Sequence, residues 1–366
     1  MKSLRMLALS TGLVAAATLL VAAIAFAQTQ APQLPPAPAN APPPSLQNNA
    51  DPGYEAALAA CKNPPAKVPP IKWPATGPGP RDYQVTEIPG VIAAGQQWKF
   101  LWQAAGNNGD GIVGTRDGGL LIAQNDNSKV VKLDKDGNAS VEYTDTHTGG
   151  ALSINSKGHL FIVERGLHPA IWELAPHHRL LADHYNGDTM DCIPSVLNDL
   201  TADSKGGAYF SMGGLFYASP KGVITQYGEN LHTNGIILSA DEKHLFVTNG
   251  ASVVEFDVQP DGSLTNQRDF ASLPKGSYGD GSTIDADGRL YVSTGAGVQV
   301  IGADGMYLGV IPTPRSIISV SFGGPNRQTL FILARGAQDS TGQQIANAAQ
   351  VYSIQMVAHG YAGRPK

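Results

Sequence analysis

Two carboxylates and two carboxamides stand at one depth of an internal repeat in this 366-residue chain. Counting eight positions back from a turn glycine reaches Asp110 from Gly118, Asn198 from Gly206 and Asp280 from Gly288. In a further copy Glu242 takes the glycine's place, and the same count reaches Asn234. Equivalent positions in a ring of repeats converge on its axis. Two carboxylates meeting there without basic neighbours repel each other, and a divalent cation resolves the repulsion. Hard oxygen donors with no thiolate or obvious imidazole favour Ca2+, with Mg2+ or Mn2+ next. Taken singly, Asp110-Gly111, Asn234-Gly235 and Asp280-Gly281 are ordinary turn dipeptides. A turn role, however, does not require acids or amides at one depth in four repeats. The second copy has Gly150 at this position and offers no ligand, and the sixth has small residues near Ser319.

The repeat that must position these side chains is a D/S-x-G turn followed by an apolar strand. Copies begin at Thr115 (TRDGGLLIAQ), Asn155 (NSKGHLFIVE), Asp203 (DSKGGAYFSM), Ser239 (SADEKHLFVTN) and Asp285 (DADGRLYVST), with a looser one at Gly324 (GPNRQTLFIL). They lie roughly 37 to 48 residues apart, the period of four-stranded propeller blades. A β-helix would repeat at a much shorter period. The chain is therefore expected to be all-β, a single six-bladed β-propeller over residues 82–358 with a C-terminal tail at 359–366. YQVTEI and WKFLWQ, ahead of the first copy, are expected to supply the missing strands of the last blade and close the ring. With 42 Gly and 15% charged residues, the composition suits many tight turns between short strands. The net charge of -5 and the lack of a Lys/Arg cluster exclude a nucleic-acid binder.

Ahead of the propeller, Lys2 and Arg5 precede an apolar run from Met6 to Phe26 that ends in Ala25-Phe26-Ala27. This is a signal-peptide pattern, with residues 1–27 cleaved and no membrane association afterwards; an uncleaved anchor is the alternative. Export predicts a periplasmic or secreted protein. Residues 28–81 form a Pro-rich extension of polyproline II character, with a short helix at Tyr54–Lys62. In an oxidising compartment Cys61 and Cys192 can form one disulfide, which would pin the extension to the folded body.

Other chemistry-bearing residues cluster near the same mouth. His147 lies in the loop entering the second blade, His184 in the long insertion His184–Leu197, and His232 two residues before Asn234. His232 is the best placed of the three to act as a base. The insertion has the length of a lid. Asp199 follows Asn198 and is expected to orient it. His177 and His178 are expected on an outer strand. Trp98, Trp102 and Trp172 are read as packing residues.

The segments GDGIVGTRDGGLLIAQ, the Asn-Asp-Leu at Asn198, TNGIILSADEKHLFVTN, GDGSTIDADGRLYVS and SFGGPNRQTLFIL resemble the SMP-30/gluconolactonase/luciferin-regenerating-enzyme family of six-bladed propellers. The resemblance runs from about Asp110 to the last blade. It implies one divalent cation in the channel, usually Ca2+ or Zn2+, and in many members hydrolysis of lactones. It places the family's Asn ligand on Asn234, its Asp ligand and base on Asp280, and its neighbouring Asn on Asn198. The family's Glu ligand falls on Asp110, one methylene shorter. Sugar-lactonase members often carry an Arg two residues before the Asn, where this chain has Val196; an aldonolactone's hydroxyls then lose a donor.

These readings predict a metal-dependent hydrolase of a small lactone or ester, with Asp280 or His232 activating water. The alternative is a non-catalytic, metal-binding propeller that takes a ligand or protein at the same face. A propeller lyase would need a His/Glu acid–base pair. Fold alone does not choose among them, and the oligomeric state is not encoded.

Overall fold

The computed structural model describes residues 47–70, 77–104, 109–274 and 278–363. The expected leader, residues 1–27, and the first part of the Pro-rich extension lie outside the described residues.

Six four-stranded antiparallel sheets follow one another along the chain. Blade I comprises Ile112–Gly114, Leu120–Gln124, Lys129–Leu133 and Ala139–Tyr143. Blade II comprises Gly149–Ile154, Leu160–Glu164, Ala170–Ala175 and Arg179–Ala182. Blade III is Leu200–Ala202, Ala208–Ser211, Leu215–Ala218 and Ile224–Tyr227, and blade IV is Thr233–Leu238, His244–Asn249, Ser252–Val258 and Leu264–Ser272. Blade V is Ser282–Ile284, Leu290–Thr294, Gly297–Ile301 and Tyr307–Pro312. Blade VI takes Ile317–Gly323, Thr329–Gln338 and Gln344–Gln355 from the end of the chain, and Lys99–Ala104 from its beginning as the outermost strand. The ring is thus closed by one N-terminal strand, from WKFLWQ. YQVTEI supplies no strand to the sheet. Its Val85 and Ile88 pack instead, with Val91, Ile92 and Trp98, against blades V and VI.

Packing explains the strand sequences. Each sheet is covered on both faces by its neighbours, so its first two strands are largely apolar rather than alternating; the second strands Leu120–Gln124 and Leu160–Glu164 are buried at every position, their terminal Gln124 and Glu164 included. Six apolar clusters fill the interfaces between successive blades. The repeat turns are closed by their own first residue. Asp203 Oδ1 accepts from the Lys205 and Gly207 N–H at 2.8 Å, and Asp285 Oδ1 accepts from Asp287 and Arg289 N–H at 3.0 and 2.9 Å. The turn demands a positive φ, which Gly206 meets at +95° and Glu242, in the glycine's place, at +57°.

The extension docks through the helix Tyr54–Ala59. Tyr54 and Leu58 pack with Cys61 against Leu167 and Cys192. A Cys61–Cys192 disulfide spans 131 residues of chain. Asn48 N–H donates to the Arg165 carbonyl at 2.7 Å, and its Nδ2 to the buried Asp191 at 3.3 Å. A cross-link closing so long a loop removes much unfolded-state entropy. The Cys61→Ser/Cys192→Ser protein is expected to unfold in urea with about 2–4 kcal/mol less stability, and dithiothreitol should lower the parent's midpoint toward the variant's.

Candidate metal centre in the channel

Asp110, Asn198 and Asp280 sit just before the inner strands of their blades, where backbone bonds fix them, and Asn234 is the second residue of its inner strand. Asp110 N–H donates to the Ala123 carbonyl at 3.0 Å, Asn198 N–H to Ser211 at 2.9 Å, and Asp280 N–H to Ser293 at 2.8 Å. Neighbouring blades are then tied to each other. Gly111 N–H donates to Gly150 at 2.8 Å, Gly281 N–H to Ile318 at 3.0 Å, and Ser211 Oγ–H to the Asn234 carbonyl at 2.6 Å. Ser319 Oγ accepts from Ile112 N–H at 3.3 Å. As a result Asp110, Asn198, Asn234 and Asp280 line one channel cavity with Asp199, Arg165 and Ser319. Its free volume is about 10 Å3, close to what one water needs.

Inner strands approach so closely here that only glycine fits. A Cβ on Gly235 would stand 2.1 Å from the Asp280 carbonyl oxygen. Gly235→Ala is therefore expected to cost about 1–3 kcal/mol through overpacking and to shift Asp280; a thermal melt and a calcium titration of the variant check both effects.

Arg165, which sequence reasoning missed, overturns the expectation of a site without basic neighbours. It follows the second strand of blade II, and its side chain is 5% exposed. Its Nη1 pairs with the Asp110 carboxylate. Its Nη2 donates to the Asn198 carbonyl at 2.7 Å and to Asn198 Oδ1 at 2.8 Å. Asn198 Nδ2 in turn donates to Asn234 Oδ1 at 2.9 Å. The guanidinium fits because Gly150 leaves its register position empty: a Cβ there would lie 2.1 Å from Arg165 Cζ. The signal in the sequence was the blade that offers no ligand. Glu164 ends its strand opposite Gly149, and the Arg165 side chain, from the next residue, reaches back over Gly150. A guanidinium thus reaches Asn198 from blade II, rather than from position 196.

Asp280 is less well compensated. Its carboxylate accepts from the Gly281 N–H at 3.1 Å and meets no side-chain donor among the described residues. Burial pushes its pKa up to about 7; the negative charges of Asp110 and Asp199 add to the rise, while Arg335 and Arg165 oppose it. Asp199 is buried and ties blade III to blade IV: Oδ1 accepts from Leu200 N–H at 2.9 Å and Oδ2 from Ile236 N–H at 3.0 Å. It positions the strands that carry Asn198 and Asn234.

The donor set fits a hard divalent cation. Two carboxylates and two carboxamides line one cavity, Arg165 offsets one negative charge, and Asp280 has no ion-pair partner among the described residues; Asn198 Oδ1 and Asn234 Oδ1 now accept from Arg165 and Asn198, so both amides would turn to serve a cation.

The histidines do not enter this cavity. His232 is exposed and lines a separate pocket of about 500 Å3 with Tyr185, Ile193, Phe216 and Leu231. That pocket lies on the same face, between blades III and IV. His147 Nδ1 lies 3.2 Å from Glu164, and His184 Nδ1 lies 2.6 Å from Asp183. The insertion forms a small hairpin, His184–Tyr185 with Asp188–Thr189, held by the disulfide. His177 and His178 lie in the turn after Ala175, not on a strand, and His178 stacks on Trp172 at 4.9 Å. Trp98 and Trp102 are buried packing residues, as read from the sequence.

A six-bladed propeller with an oxygen-lined channel site defines the class. Residues 146–335 match the SMP-30/Gluconolactonase/LRE-like region, and the chain belongs to that family. It is 30% identical over 286 residues to a protein named lactonase drp35 of Staphylococcus haemolyticus, an alignment covering 69% of this chain and 84% of that one. It is 26% identical over 148 residues to a lactonohydrolase of Aspergillus oryzae, covering 33% of this chain and 32% of that one. Among solved structures, a gluconolactonase of Xanthomonas campestris superposes with a TM-score of 0.61 at 22% identity, covering 77% of this chain and 98% of that chain. Regucalcin of Agrobacterium tumefaciens, described as a calcium-binding protein, gives 0.56 at 17% identity over 73% and 97%.

Proposed function

We propose that this chain is an exported hydrolase of lactones or related esters that works with one divalent cation, Ca2+ first among the candidates, with Zn2+, Mg2+ or Mn2+ as substitutes. The observation that carries the reading is the convergence of Asp110, Asn198, Asn234 and Asp280 in one cavity. The relatives named as lactonases, and the neighbour described as calcium-binding, support it.

Those four residues would hold the cation, which when bound polarises a carbonyl and stabilises the oxyanion. Asp280 is the group that takes the proton from the attacking water, because no side-chain donor ties up its carboxylate. Arg165 orients Asp110 and Asn198 and keeps both from rotating away. The pocket of about 500 Å3 on the same face is of small-ligand size and would seat the rest of the substrate against Tyr185, Phe216 and Leu231. Arg165 is engaged by protein acceptors, so a hydroxyl-rich aldonolactone lacks a free guanidinium here. A less polar lactone or ester suits the site better. His232 then acts on the substrate's distal part rather than on the attacking water.

The test is metal content and hydrolysis of a lactone and ester panel by the purified protein, with and without chelator. Bound metal with chelator-sensitive turnover is the expected result. A second reading, a non-catalytic ligand-binding propeller, draws on Arg165, whose guanidinium already occupies part of the oxygen cradle. Bound metal without turnover on the whole panel would favour it. Export is supported by the basic, apolar and small-residue order of residues 1–27; N-terminal sequencing of the exported protein is expected to read Gln28 first.

A further inference from the structure

A second cavity, of about 750 Å3, lies on the opposite face of the propeller, among turns of blades I, V and VI. Asp110 and Asp280 precede the inner strands of blades I and V; this cavity is lined by turns that follow the inner strands, Thr115–Gly118 of blade I and Gly324–Arg327 of blade VI. The tail residues His359 and Gly360 complete its wall.

Arg116 and Arg327 both line this space, and neither has a carboxylate partner among the described residues. Arg116 Nη2 donates to the Ser156 carbonyl at 2.8 Å. Arg327 Nη1 is out of contact with solvent and has no hydrogen-bond partner. Burial and the like charge of Arg116 both hold the Arg327 guanidinium below its ordinary pKa. The acids nearby are already committed: Asp117 accepts from Lys132 at 2.7 Å and from Thr115, and Asp136 accepts from Lys135 at 2.8 Å. A buried, unpaired donor and two like-charged guanidiniums cost stability, and an anion held between the two side chains, with a small turn of Arg327 to present Nη1, would relieve both. The backbone holds Arg327 in place regardless, with φ at +53° and its carbonyl accepting from Gly360 N–H at 2.8 Å.

We propose that this cavity binds a phosphate dianion, free or at the end of a small molecule, between Arg116 and Arg327. Two forked guanidiniums match the charge and the several acceptor oxygens of a phosphate near neutral pH, whereas a monocarboxylate neutralises only one of them. The cavity is large enough for a small organic body behind the phosphate.

The probe is inorganic phosphate, added to chelator-treated protein so that no metal contributes, with acetate at matched ionic strength as control. A saturable rise in Tm and a calorimetric binding isotherm are expected with phosphate and not with acetate. Arg327→Gln, and separately the exposed Arg116→Gln, should each weaken phosphate affinity by about tenfold or more, the loss expected for one charge-assisted bond. Asp280→Asn should leave it unchanged, which separates this site from the channel centre. No saturable binding, equal responses to acetate and phosphate, or full affinity in both arginine variants would each overturn the proposal.

Discussion

Asp280→Asn is expected to lose lactone hydrolysis by about 10²–10⁴-fold, the range for removing a general base, and to lose calcium binding with it. The substitution keeps size and shape and removes only the charge. A stability measurement separates this role from a structural one. In chelator, Asp280→Asn should be at least as stable as the parent, because it removes a buried carboxylate that faces Asp110 and Asp199. In calcium the order should reverse, since a ligand that binds only the folded state stabilises the parent alone. A variant that keeps both turnover and the calcium-dependent rise in Tm would remove Asp280 from the mechanism.

Arg165→Gln should be the most destabilising single change at the site. It strips the Asp110 carboxylate of its partner and takes the donor from Asn198 Oδ1. Breaking a buried pair on one side costs about 3–5 kcal/mol. The low end applies, since Asp110 is still 20% exposed to water. Calcium should recover part of the loss, because a bound cation takes over the compensation of Asp110. Urea unfolding of parent and variant, each in calcium and in chelator, reads all four terms. An equal loss in both solvents would mean that Arg165 and the cation act independently. Its carbonyl, anchored by Asn48, should hold the loop itself in place in the variant.

The register of Asp110, Asn198, Asn234 and Asp280 was legible because a propeller converts a fixed spacing before each turn into a fixed depth along the axis. The turn glycines carried that spacing, and even the exception at Glu242 adopts the backbone the glycine would have taken. The blade number followed from the same periodicity. YQVTEI misled because a segment with β-propensity reads alike whether it pairs within a sheet or packs across sheets.

What the sequence determined by itself is local and periodic: the strand and turn order, the six repeats, the four oxygen donors in register, and the two cysteines. What only the tertiary structure decided is which non-equivalent groups meet. Arg165 reaches Asp110 across 55 residues because Gly150 leaves a space no spacing rule records. His232, two residues from Asn234, turns out to the neighbouring pocket instead. Arg116 and Arg327 come to line one cavity only because ring closure brings blade VI beside blade I. Repeats propagate equivalent positions by symmetry, whereas contacts between unlike positions depend on the volumes and charges left over once the ring has closed.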